Sequence, residues 1–368
     1  MARSSEIQRR LDHLIGPVIL RTIAILRGGR PRPATIRRIG FLEPTAIGDL
    51  VLDTPMLAAA RRRYPDAELH LFHGASNAAL VPLLPAGVIA HRCDFRTPWK
   101  TLTILRAANL DILVDCTSWP RLTAILAALC GAHTIGFSTP GQSRHYAQDD
   151  CVSHHLDRHE SLNRAALAGA IIGEKTNESA MLAVPPAKLP DLPFQRLILC
   201  HVSPGGSRAR EKSWLPDRWA ELARLLARDG WILGFTGVRQ DEDAIQTILN
   251  LSGLSGDVAF SLAGRLDMAQ LAQLFGQARL LITVDTATVH LGSALSVPMI
   301  ALHGPSPSRR WGATSARAIS IDAPHPAAGF IHFGYETHPQ AMDIMSTIAV
   351  TDVYEQARRQ LRGTDRPA

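Results

Sequence analysis

Between residues 280 and 304 an apolar run, LLITV, gives way to the polar break DTATVH, then to a helical stretch stopped by Pro298, then to MIALHG. Short apolar runs bounded by turn residues predict buried strands, here over 280–284 and 299–302, with a helix between them. This is a βαβ unit, and it sets a helix N-terminus at the carboxyl end of a strand. Unpaired amides and the helix dipole favour anions at such a junction. The same pattern predicts strands over 39–42, 68–72, 112–115, 197–202 and 231–235, the 280–284 run closing the second sheet. Helices are predicted from about Asp49 to the Arg61-Arg62-Arg63 cluster, over 120–130, over 216–228, and over 352–361 with Thr351 as N-cap. Strands alternating with helices predict parallel sheets covered on both faces.

The alternation stops at VPPAKLPDLP and restarts after it. Prolines without apolar period cannot continue a helix, so residues 184–194 read as a linker. The predicted organisation is an N-terminal extension (1–36), a first α/β domain (37–183), the linker, a second α/β domain (195–345) and a C-terminal helix segment (346–368). In the extension, Leu11, Leu14, Ile15, Val18, Ile19, Ile23 and Leu26 recur at helical spacing among Arg3, Arg9, Arg10, Arg21, Arg27, Arg30 and Arg32. The segment is too short and too charged to span a bilayer. It predicts either a helix packed on the protein's own surface or an interfacial helix on an anionic leaflet.

Composition narrows the class. A 368-residue chain with 46% hydrophobic residues supports two sizeable cores. Five scattered cysteines with no CxxC argue against a disulfide framework or a thiolate zinc site and fit a reducing cytoplasm, with no secretory signal visible. Net charge of +6 suits acidic substrates or membrane surfaces, and no basic run interleaved with aromatics suggests nucleic acid.

Three loops carry candidate chemistry. In PTAIGD, Gly48 is expected to give a turn that lets a ligand approach, and Asp49 sits where a helix dipole keeps a carboxylate ionised, as a general base or as an N-cap. SPGGSRAREKSW offers two glycines, Ser207, Arg208 and Lys212 for a diphosphate, although it lacks P-loop spacing. In DTATVH, Thr286 and nearby amides can hold a phosphate, with His290 one turn on either along the same face or buried in the core. His155 and His159 are four apart and could share a helix face, but no third ligand accompanies them, so no metal is expected.

The run IGFLEPTAIGDLVLDTPMLAAARRRYPDAELHLF, with VSPGGSRAREKSWLPDRWAELARLL and DTATVHLGSALSVPMIALHGPSP, resembles glycosyltransferase family 9, the ADP-heptose:lipopolysaccharide heptosyltransferases, over about residues 37–362. The resemblance implies a GT-B fold, two doubly wound Rossmann-like domains facing across a cleft, with the C-terminal helix bracing the first. It implies an inverting glycosyltransferase with no cofactor, moving heptose or a related sugar from an ADP-sugar to a lipopolysaccharide core or other glycan. Asp49 would be the base, and Lys212 would stabilise the leaving diphosphate. Gly48, Ser207, Arg208, Glu242 (on the ribose), Asp285, Thr286, Ala287 and His290 would complete the donor contacts. Ala287 stands where glycine is usual, and Arg208 replaces a small hydroxyl residue. Apart from the resemblance, the cysteines place the chain in the cytoplasm, and on the inner face of the cytoplasmic membrane if the N-terminal helix is interfacial. A nucleotide-sugar epimerase of similar fold, or a non-catalytic sugar-nucleotide-binding protein, are the competing classes.

Overall fold

In a computed structural model, residues 6–364 are described apart from Asn177, Met181 and Ser207. The chain divides into two compact units, residues 1–183 and 184–368.

In the first unit the elements run α1 (Glu6–Arg27), β1 (Arg38–Glu43), α2 (Ile47–Arg63), β2 (Glu68–His73), β3 (Val88–Arg92), α3 (Pro98–Ala107), β4 (Ile112–Asp115), α4 (Arg121–Cys130), β5 (His133–Ser138), β6 (Asp150–Ser153) and α5 (Glu160–Ile172). The strands form one parallel sheet in the order β3-β2-β1-β4-β5-β6. Order reverses between β1 and β4, and in open α/β sheets the crevice at that reversal, beyond the carboxyl ends of the strands, is the usual ligand position. Phe41, Leu42, Leu71, Phe72, Leu113 and Val114 are buried along the central strands. Helix α2 is buried along most of its length and packs beside α5, so even its polar Asp53 and Thr54 lie in the interior.

The second unit runs β7 (Leu197–His201), α6 (Ala209–Lys212), α7 (Pro216–Arg228), β8 (Ile232–Thr236), α8 (Glu242–Ser252), β9 (Ala259–Ser261), α9 (Met268–Gln277), β10 (Leu280–Val284), α10 (Ala287–Ala294), β11 (Met299–His303), α11 (Ser308–Trp311), β12 (Ala318–Asp322) and α12 (Val350–Thr364). Its parallel sheet has the equivalent order, β9-β8-β7-β10-β11-β12, so the reversal lies between β7 and β10. Local chemistry sets the helix ends: Pro216 opens α7, where its missing N–H costs nothing, and Asp267 and Gln270 exchange bonds in a capping box at α9.

Two expectations change. The 280–284 strand is central in its sheet, flanked by β7 and β11, because a strand buried on both faces is the one that reads as continuously apolar. Thr351 lies inside α12 rather than capping it, since the helix starts at Val350. The C-terminal helix α12 places Val353, Ala357 and Leu361 in the core of the second unit, against α7.

Candidate active site

At the β1/β4 reversal, the end of β1 and the start of α2 gather carboxylates. The turn expected at Gly48 is absent: Gly48 is the second residue of α2, in ordinary helical conformation, because the chain enters the helix at Ile47 with Ala46 as N-cap. Asp49 is therefore the third helical residue and not the cap. It still lies in the first turn, where the dipole favours its charge. Its Oδ2 accepts from Thr45 Oγ1 at 2.8 Å and its Oδ1 lies 3.5 Å from the guanidinium of Arg164. The Asp49 side chain keeps 24% exposure, whereas its neighbours have almost none.

Those neighbours are residues that the sequence did not single out. Glu43, last in β1, is fully buried; it accepts from the amide of Thr45 at 2.8 Å, from Thr45 Oγ1, and from Arg164 at 3.2 Å. Asp53, one turn beyond Asp49, accepts from the same guanidinium nitrogen. Arg164 comes from α5, four residues after Glu160, whose carboxylate lies 3.5 Å from Arg164 Nε and 3.1 Å from His154 Nε2. One arginine thus faces four carboxylates. Burial pushes the Glu43 carboxyl above the usual range; Arg164 opposes this and the charge of Asp49 adds to it. Asp53 is raised well above its ordinary value for the same reason, with Glu43 and Asp49 reinforcing the shift. Burial works against the Arg164 charge as well, but Asp53, Glu43, Glu160 and Asp49 outweigh it and hold the guanidinium firmly protonated. Burial and the neighbouring carboxylates thus work to keep protons on Glu43 and Asp53.

The histidines expected to share a helix face do not, since α5 begins at Glu160. His159 is its N-cap, accepting from the Ser161 amide, and His155 precedes it. Among the described residues no group of three His, Cys, Asp or Glu side chains is arranged to hold a metal ion.

In the second unit the β7/β10 reversal is built from two loops. After β7, the chain passes Gly205 and Gly206, the latter at φ +90°, a backbone that side chains disfavour. It then forms the short helix α6, whose last residue is Lys212. Lys212 is buried, and its Nζ donates to the backbone oxygen and to Oδ2 of Asp285, both at 3.1 Å. Two of its three hydrogens are thereby spent, which aims the ammonium and leaves the third for an anion. Burial works against the charge of Asp285, but Lys212, His303, the Ser306 hydroxyl and His290 together bring its pKa down to about 2. Thr286 is the N-cap of α10 and accepts from the Gly205 amide at 3.4 Å, tying the two loops together. Its side chain does not cap the helix, so the leading amides at Ala287 and Thr288 open α10 beside Lys212. His290, in the first turn of α10, is buried with its ring edge-on to Trp311.

The structure therefore brings Lys212, Asp285, Thr286, Ala287 and His290 together. Glu242 opens α8 beyond the carboxyl end of β8; its carboxylate accepts from Ser261 at 2.7 Å and Gln246 at 2.8 Å, which lowers its pKa. Arg208 is turned to Glu211 at 2.9 Å and to the carbonyl of Tyr335. Ser207 lies outside the described residues. His303, the last residue of β11, lies just beyond the strand predicted over 299–302 and is not among the candidate residues. It is fully buried next to Asp285, and burial lowers its pKa while Asp285 and Asp322 oppose that.

The sequence profile of glycosyltransferase family 9 (heptosyltransferase) matches residues 105–329. Lipopolysaccharide heptosyltransferase 1 of Pseudomonas aeruginosa is 23% identical over 324 residues, covering 79% of this chain and 85% of the relative. A family 9 glycosyl transferase structure from Veillonella parvula aligns with TM-score 0.69 at 20% identity, over 89% of this chain and 97% of that one. The structure of Escherichia coli ADP-heptose lps heptosyltransferase II aligns with TM-score 0.68 at 19% identity, over 89% and 100%. These likenesses give the GT-B fold class to the two doubly wound units.

Proposed function

The chain belongs to glycosyltransferase family 9 and is a heptosyltransferase-like glycosyltransferase, and on that premise we propose that it moves heptose or a related sugar from an ADP-sugar to a lipopolysaccharide core or similar glycan. The observation that carries this reading is the Lys212–Asp285–Thr286 cluster at the β7/β10 reversal, a cation and a helix N-terminus placed together as a diphosphate requires. In support, the similar Escherichia coli protein is an ADP-heptose lps heptosyltransferase and the Pseudomonas aeruginosa relative a lipopolysaccharide heptosyltransferase.

The acceptor hydroxyl loses its proton to Asp49, whose carboxylate is the most exposed of its cluster. The oxygen attacks the anomeric carbon from the face opposite the diphosphate, which leaves as the bond breaks, so the configuration inverts. Negative charge grows on the leaving oxygen, where the free hydrogen of Lys212 and the first amides of α10 stabilise it. Glu242 is assigned to the ribose hydroxyls.

Two variants test these roles. Asp49→Ala is expected to abolish transfer, a loss of at least about a hundredfold, while calorimetric affinity for ADP stays near wild type. Lys212→Ala is expected to weaken both. Full transfer by Asp49→Ala removes the base; unchanged ADP affinity in Lys212→Ala removes the diphosphate site. Screening ADP-, GDP- and UDP-sugars for donor hydrolysis by mass spectrometry fixes the nucleotide.

A further inference from the structure

Helix α1 uses one face to join the first unit and leaves the other uncovered. On the joined face, Leu20 is fully buried, Asp12 pairs with Arg121 at 2.7 Å, Arg27 pairs with Asp149, and Gly16 sits so close to Arg121 that a Cβ would come within 2.5 Å of its side chain. On the opposite face Leu14, Val18 and Ile25 form one row at i, i+4 and i+11, and Ile15, Ile19 and Leu26 form the adjacent row. Their exposures reach 72% at Leu14, 63% at Val18, 82% at Ile25 and 81% at Leu26. Six large apolar side chains on one solvent-facing stripe, on a helix about 33 Å long, are far more than scattered surface residues, and such a patch marks an interaction face.

Charge identifies the occupant. Residues 1–38 contain nine of the 39 basic residues of the chain and two of its 33 acidic ones, a net of +7. The chain as a whole carries +6, so residues 39–368 sum to −1 and the positive charge resides entirely in this segment. Arg21 borders the stripe, exposed and stacked over Tyr146 at 5.1 Å, and Arg37 is exposed beyond the helix. An apolar stripe edged with arginine fits the boundary between anionic headgroups and acyl chains, where the apolar side chains insert and the guanidiniums meet phosphates. A second copy of the chain would bring the same +7 against itself. Among the described residues no helix is long and apolar enough to cross a membrane, so this one would lie along the surface.

We propose that the exposed face of α1 docks the protein on an anionic lipid bilayer. This deepens the reading above, because an acceptor anchored in that bilayer would be presented at the surface to which the enzyme is held.

The test is sedimentation of the full chain with phosphatidylcholine vesicles and with vesicles that also carry phosphatidylglycerol, in the absence of donor and acceptor. Binding is expected to the anionic vesicles, to fall with salt, and to drop at least about tenfold in Leu14→Ser/Val18→Ser/Ile25→Ser/Leu26→Ser. Those side chains are exposed, and an unchanged melting curve of the variant verifies that it is folded. Arg21→Glu/Arg37→Glu is expected to remove the preference for anionic vesicles. Equal sedimentation of wild type and the serine variant overturns the proposal, as does a dimer in solution that the serine variant dissociates. Because no substrate is present, the outcome is independent of the transfer assay. A serine variant that no longer binds vesicles but still turns over a soluble glycan would separate docking from chemistry.

Discussion

Thr45 has one hydroxyl hydrogen and two carboxylates within reach. Its Oγ1 is bonded to Glu43 Oε1 and lies 2.8 Å from Asp49 Oδ2, and a single hydrogen cannot serve both fully. The chain of three oxygens is complete when one carboxyl carries a proton and donates it to Thr45. Burial selects Glu43 as that carboxyl, since Glu43 is fully buried and Asp49 is not. The hydrogen of Thr45 then points at Asp49 Oδ2 and holds that carboxylate in place. Thr45→Val is therefore expected to lower kcat at least about tenfold, roughly the free energy of one hydrogen bond to a charged group, with ADP affinity unchanged. Thr45→Ser should restore kcat. Wild-type kcat in Thr45→Val would mean that the hydroxyl does not position Asp49.

At the scale of elements, Arg164 couples α5 to β1 and α2, and its effect reaches stability. Replacing it by methionine leaves Glu43, Asp53 and Glu160 buried without their cation, a loss of about 3–5 kcal/mol for a broken buried pair. Glu43 and Asp53 have folded-state pKa values above their unfolded ones. Their contribution is therefore greatest below the ordinary carboxylate range and declines as pH rises through the folded values. In Arg164→Met the urea midpoint should fall most at neutral pH and above, and the gap from wild type should narrow as pH falls and the carboxyls take up protons. A gap constant with pH would show that lost packing, not charge, explains the effect. None of this coupling was legible in the sequence, because Arg164 lies 111 residues from Asp53 and nothing local relates them. A faint signal existed in Asp53, a carboxylate inside the otherwise apolar LVLDTPML. What was legible was the central strands β1, β2, β4, β7, β8, β10 and β11, because a strand covered on both faces must be apolar throughout. Strands β3, β5, β6, β9 and β12 were missed: β3 has no fully buried residue, β6 alternates half-buried with exposed positions, and β5 carries His133 and Thr134 into the interior.

Across the whole chain, the two units repeat one strand order, and each has its chemistry at the reversal, with acids in the first and a cation beside a helix N-terminus in the second. That division of charge predicts where a nucleotide binds. A diphosphate approaching Glu43, Asp49 and Asp53 meets a guanidinium, Arg164, already engaged by those carboxyls, whereas at Lys212 and the start of α10 it meets complementary groups. A ligand that binds only the folded state slows local opening of the segments that it contacts. Hydrogen exchange with saturating ADP is therefore expected to show added protection over 203–212 and 285–290, with less at the start of α8 around Glu242, and none over 43–53. Lys212→Ala should erase the first two effects together, since one ammonium joins both loops through Asp285. If ADP instead protected 43–53 alone, the nucleotide would belong to the first unit. The roles assigned to Asp49 and Lys212 would then have to be exchanged or abandoned.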